Sequence, residues 1–112
     1  MDERTRSRFR DMRDYARKAV DLMGDLDADA FSTDERTFFA VTKCVETVGE
    51  AAAQIGRPEL RRIMPGEPWL DIIGMRNILI HEYMGINAHT LYDTVTHVLP
   101  GFADRVEELL EY

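Results

Sequence analysis

Trp69-Leu70-Asp71-Ile72-Ile73-Gly74-Met75-Arg76-Asn77-Ile78-Leu79-Ile80-His81-Glu82-Tyr83 follows directly on the break Pro65-Gly66-Glu67-Pro68. No period-two alternation runs through it, and its length suits a helix better than a strand. At about 100° per residue, Met75, Leu79, Ile72, Trp69, Ile80 and Ile73 share one arc, and Arg76 falls in the middle of that arc. Arginine stays protonated, and an unpaired charge on an apolar face is very costly to bury. Arg76 must therefore be paired or open into a cleft. Asn77 and His81 are four apart and lie together on the flank of the arc. Tyr83 is seven residues after Arg76 and shares its stripe if the helix continues.

Outward from this stretch the chain reads as helix throughout. Phe9, Met12, Tyr15, Ala16, Ala19, Val20 and Met23 form one apolar stripe, ended by Gly24 and the acidic run Asp25–Asp29. Ser32-Thr33-Asp34-Glu35 has the form of a capping box that starts a long helix to about Ile55, where Gly56 and Pro58 stop it. Pro58 to Met64 suits one or two short turns, and Pro68 suits the first position of the next helix. Gly85 closes that segment, and Asn87 is placed to cap the last helix. Its buried stripe is Leu91, Val95, Val98, Phe102, Val106, Leu109 and Leu110. Pro100 interrupts this stripe and predicts a kink. The expected architecture is an all-α, up-down four-helix bundle with one short extra helix, a single domain over residues 1–112.

Composition narrows the function. The 112 residues carry 14 Lys+Arg against 21 Asp+Glu, a net charge of −7, which argues against gripping nucleic acid by bulk positive charge. The imbalance is local, however. Residues 1–18 hold seven basic side chains against four acidic ones, and Arg57, Arg61 and Arg62 form a second small group. Such groups usually make a solvated face, but a few guanidinium groups suffice for phosphate contact. The single Cys44 excludes an internal disulfide and reads as a small buried hydrophobe. The charged start Asp2-Glu3-Arg4 speaks against a signal peptide, and no apolar run is long enough to span a membrane, so the expected location is cytoplasmic. Trp69, Phe38, Phe39 and the methionines sit at helical spacing, as core or dimer-interface residues do.

Two readings of the Arg76 site compete. In the first, Arg76 is a strut salt-bridged to Glu46 or Glu50, four apart on the flank of the long second helix, and His81 complements a helix C-terminus. In the second it is a phosphate site. Arg76 holds a phosphodiester by a charge-assisted fork, His81 moves a proton near neutral pH, and Asn77 orients the ligand or the imidazole. That set suits RNA cleavage without a metal or cofactor. The ribose 2′-OH attacks, and arginine stabilises the charge that develops. DNA lacks this hydroxyl. One histidine is thin for both acid and base, and a symmetric dimer supplies a second. A metal site from His81, Glu82, His89 and His97 is disfavoured: the first two point to different sides of a helix, and the last two are two turns apart.

The run Pro68-Trp69, Gly74-Met75-Arg76-Asn77 and His81-Glu82-Tyr83-Met84-Gly85 resembles the signature of HepT-like proteins of the HEPN superfamily, R-x-x-x-x-H-x-Y. The likeness extends over nearly the whole chain, including Glu46, the segment Gly49-Glu50-Ala51-Ala52, and Asp93-Thr94-Val95 before Leu99-Pro100. The resemblance implies the toxin of a type VII toxin–antitoxin module, a homodimer whose paired motifs cut RNA in a shared cleft without metal. It further implies an MntA-like nucleotidyltransferase partner that transfers AMP from ATP to Tyr83 and so blocks Arg76 and His81. The alternative is a non-catalytic helical subunit that serves such a nucleotidyltransferase.

Overall fold

The computed structural model describes residues 1–81 and 88–112, and over 77–81 the backbone alone. Its elements are α1 (Glu3–Met23), α2 (Ala28–Thr33), α3 (Glu35–Ile55), α4 (Arg57–Ile63), α5 (Trp69–His81), α6 (Ala88–Asp93), a π-helical turn (Thr94–Val98) and α7 (Leu99–Leu110). The all-helical bundle is as expected. α1 lies between α3 and α7, and α5 packs on the other flank of α3. The four long pieces are α1, α3, α5 and the α6–α7 run.

The apolar stripe of α1 explains its place. Phe9, Met12, Ala16, Ala19 and Met23 are buried, with Tyr15 and Val20 half-buried at the margins. Asp2 caps its start by accepting from the Thr5 N–H at 2.8 Å. At its end Gly24 takes φ +54°, a conformation that L side chains rarely adopt, and donates its N–H to the Val20 carbonyl. Arg6 donates to the carbonyls of Leu110 (2.6 Å) and Tyr112 (3.1 Å), closing the free end of α7, and Arg13 reaches Glu107 at 2.7 Å. Much of the basic N-terminal cluster is thus a clasp between α1 and α7.

Four sequence expectations are corrected. The Asp25–Asp29 run is not simply a loop: Asp27 caps the added short helix α2, so the bundle has two short helices before α5, α2 and α4, rather than one. The expected capping box gives way to Asp34, whose carboxylate accepts from the Thr37 N–H at 3.0 Å; Ser32 and Thr33 instead finish α2. Pro68 precedes α5 rather than opening it, and its carbonyl accepts from the Ile72 N–H. Lastly, the irregularity expected at Pro100 lies just upstream, in the π-helical turn. Proline has no N–H to give and its ring crowds the carbonyl four residues back. The Leu99 N–H bonds to the Thr94 carbonyl, five residues back, and Pro100 then sits in the first turn of α7. The extra residue in this turn shifts the buried stripe to Leu91, Val95, Leu99, Phe102 and Val106, and leaves Val98 40% exposed. The cap expected from Asn87 and the close expected at Gly85 lie outside the described residues.

Trp69 anchors α5. It is buried, stands edge-on to Phe9 and Phe102 at 6.4 and 5.7 Å between ring centroids, and donates its indole N–H to the Met64 carbonyl at 3.0 Å. Arg105 grips Glu67 with two nitrogens, at 2.5 and 3.0 Å, fixing the turn before α5 against α7. Cys44 is buried as expected, and burial pushes its thiol pKa up, away from nucleophilic use. The buried Thr42 hydroxyl has no hydrogen-bond partner among the described residues. Thr42→Val keeps the shape and removes an unsatisfied polar atom. It is expected to stabilise the fold by about 1 kcal/mol, and a lower melting temperature would contradict this.

Candidate functional site

Mid-α3, the chain places a glycine where a helix would ordinarily prefer a side chain. Gly49 is buried, and α5 crosses it closely. A Cβ built on Gly49 would lie 2.3 Å from the Arg76 Cβ, 3.0 Å from the Ile72 carbonyl oxygen and 3.2 Å from the Arg76 Cγ. The missing methyl is therefore what admits the stem of Arg76 against α3. The next residue, Glu50, receives its head: Arg76 Nε donates to Glu50 Oε2 at 2.7 Å.

This settles which glutamate meets the Arg76 Nε. Of the two candidates, Glu50 does, while Glu46 lies 3.8 Å from Lys43 one turn back along α3. Glu50 is itself positioned by Gln54, whose amide donates to Oε1 at 3.0 Å. That bond, with Arg76 and Arg8 nearby, holds the Glu50 carboxyl below the usual glutamate range, against the opposing effect of partial burial. Glu50 thus stays ionised to lower pH than an ordinary glutamate, and the pair with Arg76 weakens only as pH falls through its depressed pKa.

The pair is not a sealed strut. The Arg76 side chain is 28% exposed and that of Glu50 41%. An ion pair this open contributes little net stability, so its effect is chiefly to orient the guanidinium. Gly49, Gln54 and Arg8 were not singled out as site residues from the sequence. A glycine inside an otherwise strong helix is the signal that marks Gly49.

Of the other predicted site residues, positions 77 and 81 lie on the α5 backbone, and the side chains of Asn77 and His81 are outside the described residues, as is all of Tyr83. Of the histidines in the disfavoured metal reading, His89 lies 3.6 Å from Asp29 and His97 is exposed in the π-helical turn; no group of metal-ligating side chains occurs among the described residues. Among those residues, no helix is long and apolar enough to cross a membrane.

Comparison with known proteins bears directly on this arrangement. The family described as "Ribonuclease HepT-like" matches residues 12–109. A Methanocaldococcus jannaschii protein named "Putative RNase MJ1380" is 32% identical over 97 residues, covering 87% of this chain and 88% of that protein. The "Probable ribonuclease HepT" of Thermococcus cleftensis is 35% identical over 79 residues, 70% of this chain and 71% of its own length. No solved structure matches significantly. The matched span takes in α3 and α5, and so both halves of the Arg76–Glu50 pair; the chain belongs to the HepT-like ribonuclease family.

Proposed function

We propose that this chain is the toxin of a type VII toxin–antitoxin module, a metal-independent endoribonuclease acting through Arg76 and His81. The observation that carries the reading is the Arg76–Glu50 pair across Gly49, which fixes a guanidinium at a half-exposed place instead of sinking it in the core. Arg76 binds the scissile phosphodiester. His81 takes the proton of the ribose 2′-OH as its oxygen attacks phosphorus, or returns a proton to the departing 5′-oxygen. The 2′-O–P bond forms and the 5′-O–P bond breaks, leaving a 2′,3′-cyclic phosphate and a 5′-hydroxyl. Asn77 orients the imidazole or the phosphate. The test is cleavage of a short RNA by purified protein in chelator. No cleavage, with RNA still bound, would favour the non-catalytic subunit.

The reading needs two copies, because acid and base must both be present. Support comes from α5. By helical register, positions 70, 74, 77 and 81 share one side of it. Leu70 there is 65% exposed, and a Cβ on Gly74 would meet nothing. A symmetric partner seated on this side brings two copies of position 81 to one cleft. Leu70→Asp is expected to convert a dimer to monomer in light scattering and to lower cleavage with it. A dimer that persists unchanged would move the interface elsewhere.

Control of the site belongs to the same proposal. An MntA-like nucleotidyltransferase transfers AMP to the Tyr83 hydroxyl, with pyrophosphate leaving from ATP. The added phosphate competes for Arg76, and the nucleoside fills the cleft. Intact mass after incubation with that partner and ATP is expected to rise by whole adenylyl groups, and not at all in Tyr83→Phe. Full modification of Tyr83→Phe would overturn the assignment.

A further inference from the structure

Beside the Arg76–Glu50 pair, the first turns of α1 and the end of α3 enclose a groove of about 380 Å³ lined by Arg4, Thr5, Arg8, Gln54, Ile55 and Glu59. Its two arginines differ from the rest of the N-terminal basic cluster. Arg6 holds the last carbonyls of α7, Arg10 pairs with Glu3, Arg13 with Asp14 and Glu107, Arg17 with Asp104, and Lys18 lies over the Tyr15 ring. Arg4 and Arg8 are ion-paired to nothing among the described residues. The groove's one carboxylate, Glu59, is already engaged by Arg62 through both oxygens. What remains is a cationic trough in an acidic protein.

Its position gives it meaning. Gln54 lines the groove and also holds Glu50, which holds Arg76. Arg8 is close enough to Glu50 to help keep that carboxyl ionised. Arg4 and Arg8 therefore line a groove that Gln54 joins, through Glu50, to Arg76. Arg4 and Arg8 are one helical turn apart, about 6 Å along the axis, a step comparable to that between successive phosphates of an extended strand.

We infer that this groove is an RNA-binding subsite: Arg4 and Arg8 take the phosphates of the strand running on from the one held at Arg76, so that the enzyme binds a stretch of single-stranded RNA rather than one phosphodiester. The inference rests on the RNA-cleaving reading of Arg76 and extends it to Arg4 and Arg8, which precede the matched family span. The acidic remainder of the surface repels strands that do not follow this path.

The test uses the whole protein and RNAs made uncleavable by a 2′-deoxy sugar at the cut site, of two and six nucleotides. Wild type is expected to bind the hexamer at least about tenfold more tightly than the dimer. In Arg4→Gln/Arg8→Gln that gain is lost, and the slope of log affinity on log salt falls by about 1.4, two phosphate contacts on a single strand. A charge-matched control, Arg36→Gln/Lys43→Gln, alters exposed basic residues outside the groove and should keep the gain. All four positions are partly or fully exposed, and melting temperatures check folding. An unchanged length gain in the groove variant overturns the inference, as does an equal loss in the control, which would make the effect one of net charge. Retained RNA affinity with lost binding of the nucleotidyltransferase also overturns it and assigns the groove to a protein. Cleavage by wild type with no groove effect leaves the ribonuclease reading standing without the subsite. Groove-dependent binding with no cleavage does the reverse.

Discussion

His81→Ala is expected to lower RNA cleavage by about 100- to 10,000-fold and Arg76→Ala by about 100- to 1,000-fold, measured as single-turnover rates in chelator. For His81 the magnitude is that of a general acid or base, and for Arg76 that of a group aimed at developing charge. The two variants should differ in kind. His81→Ala loses the pH dependence near neutrality and binds uncleavable RNA almost as well as wild type. Arg76→Ala loses binding as well, and it leaves Glu50 without its cation, 2.7 Å from where Nε stood. With Glu50 41% exposed, water takes over much of that role, so the stability cost is small and the rate loss is not a folding effect. Arg76→Lys keeps the charge without the planar fork and should recover only part of the rate. Cleavage by His81→Ala at the wild-type rate would remove histidine from the mechanism and the proposal with it.

Gly49→Ala is the second large effect, and two opposing terms decide its sign. Intrinsic propensity favours alanine over glycine inside a helix by up to about 1 kcal/mol. Against this, the new methyl would stand 2.3 Å from the Arg76 Cβ and 3.0 Å from the Ile72 carbonyl oxygen. The first atom is the rigid root of its side chain and the second is backbone, so neither can swing aside, and α5 as a whole has to move. Overpacking of this kind costs about 1–3 kcal/mol. The clash wins, and the melting temperature should fall by several degrees, since about 1 kcal/mol moves a domain of this size by roughly 4 °C. Because the displaced helix carries Arg76 and His81, cleavage should fall further than stability does. A variant as stable and as active as wild type would show that α5 does not lie against Gly49 as described.

The helical character of the chain and the stripe of α1 were legible in the residues, because a period of three to four states which side of a helix is apolar. The α1 stripe matches the buried set closely, with Tyr15 and Val20 at its edges. Where local signals compete, reading is weaker. Ser32 and Asp34 are both good caps, and two residues of register separate them; the existence of α2, ending at Thr33, hands the role to Asp34. The stripe of the last helix was misplaced by one residue, Val98 for Leu99, because a π-helical turn changes the period that the counting assumes.

The sequence by itself determined the motif, Arg76 with five residues to His81, and the need for Arg76 to find a partner, because charge and spacing are local properties. Only the tertiary structure decided that the partner at Nε is Glu50 rather than Glu46. Those two glutamates differ by one helical turn, and the choice depends on where α5 crosses α3. The apolar arc of α5 says which side turns inward, but not where along α3 that side crosses. The crossing is set where the backbones approach most closely, at Gly49, and the position of that gap against Arg76 is a relation between two helices that no periodicity within either one contains.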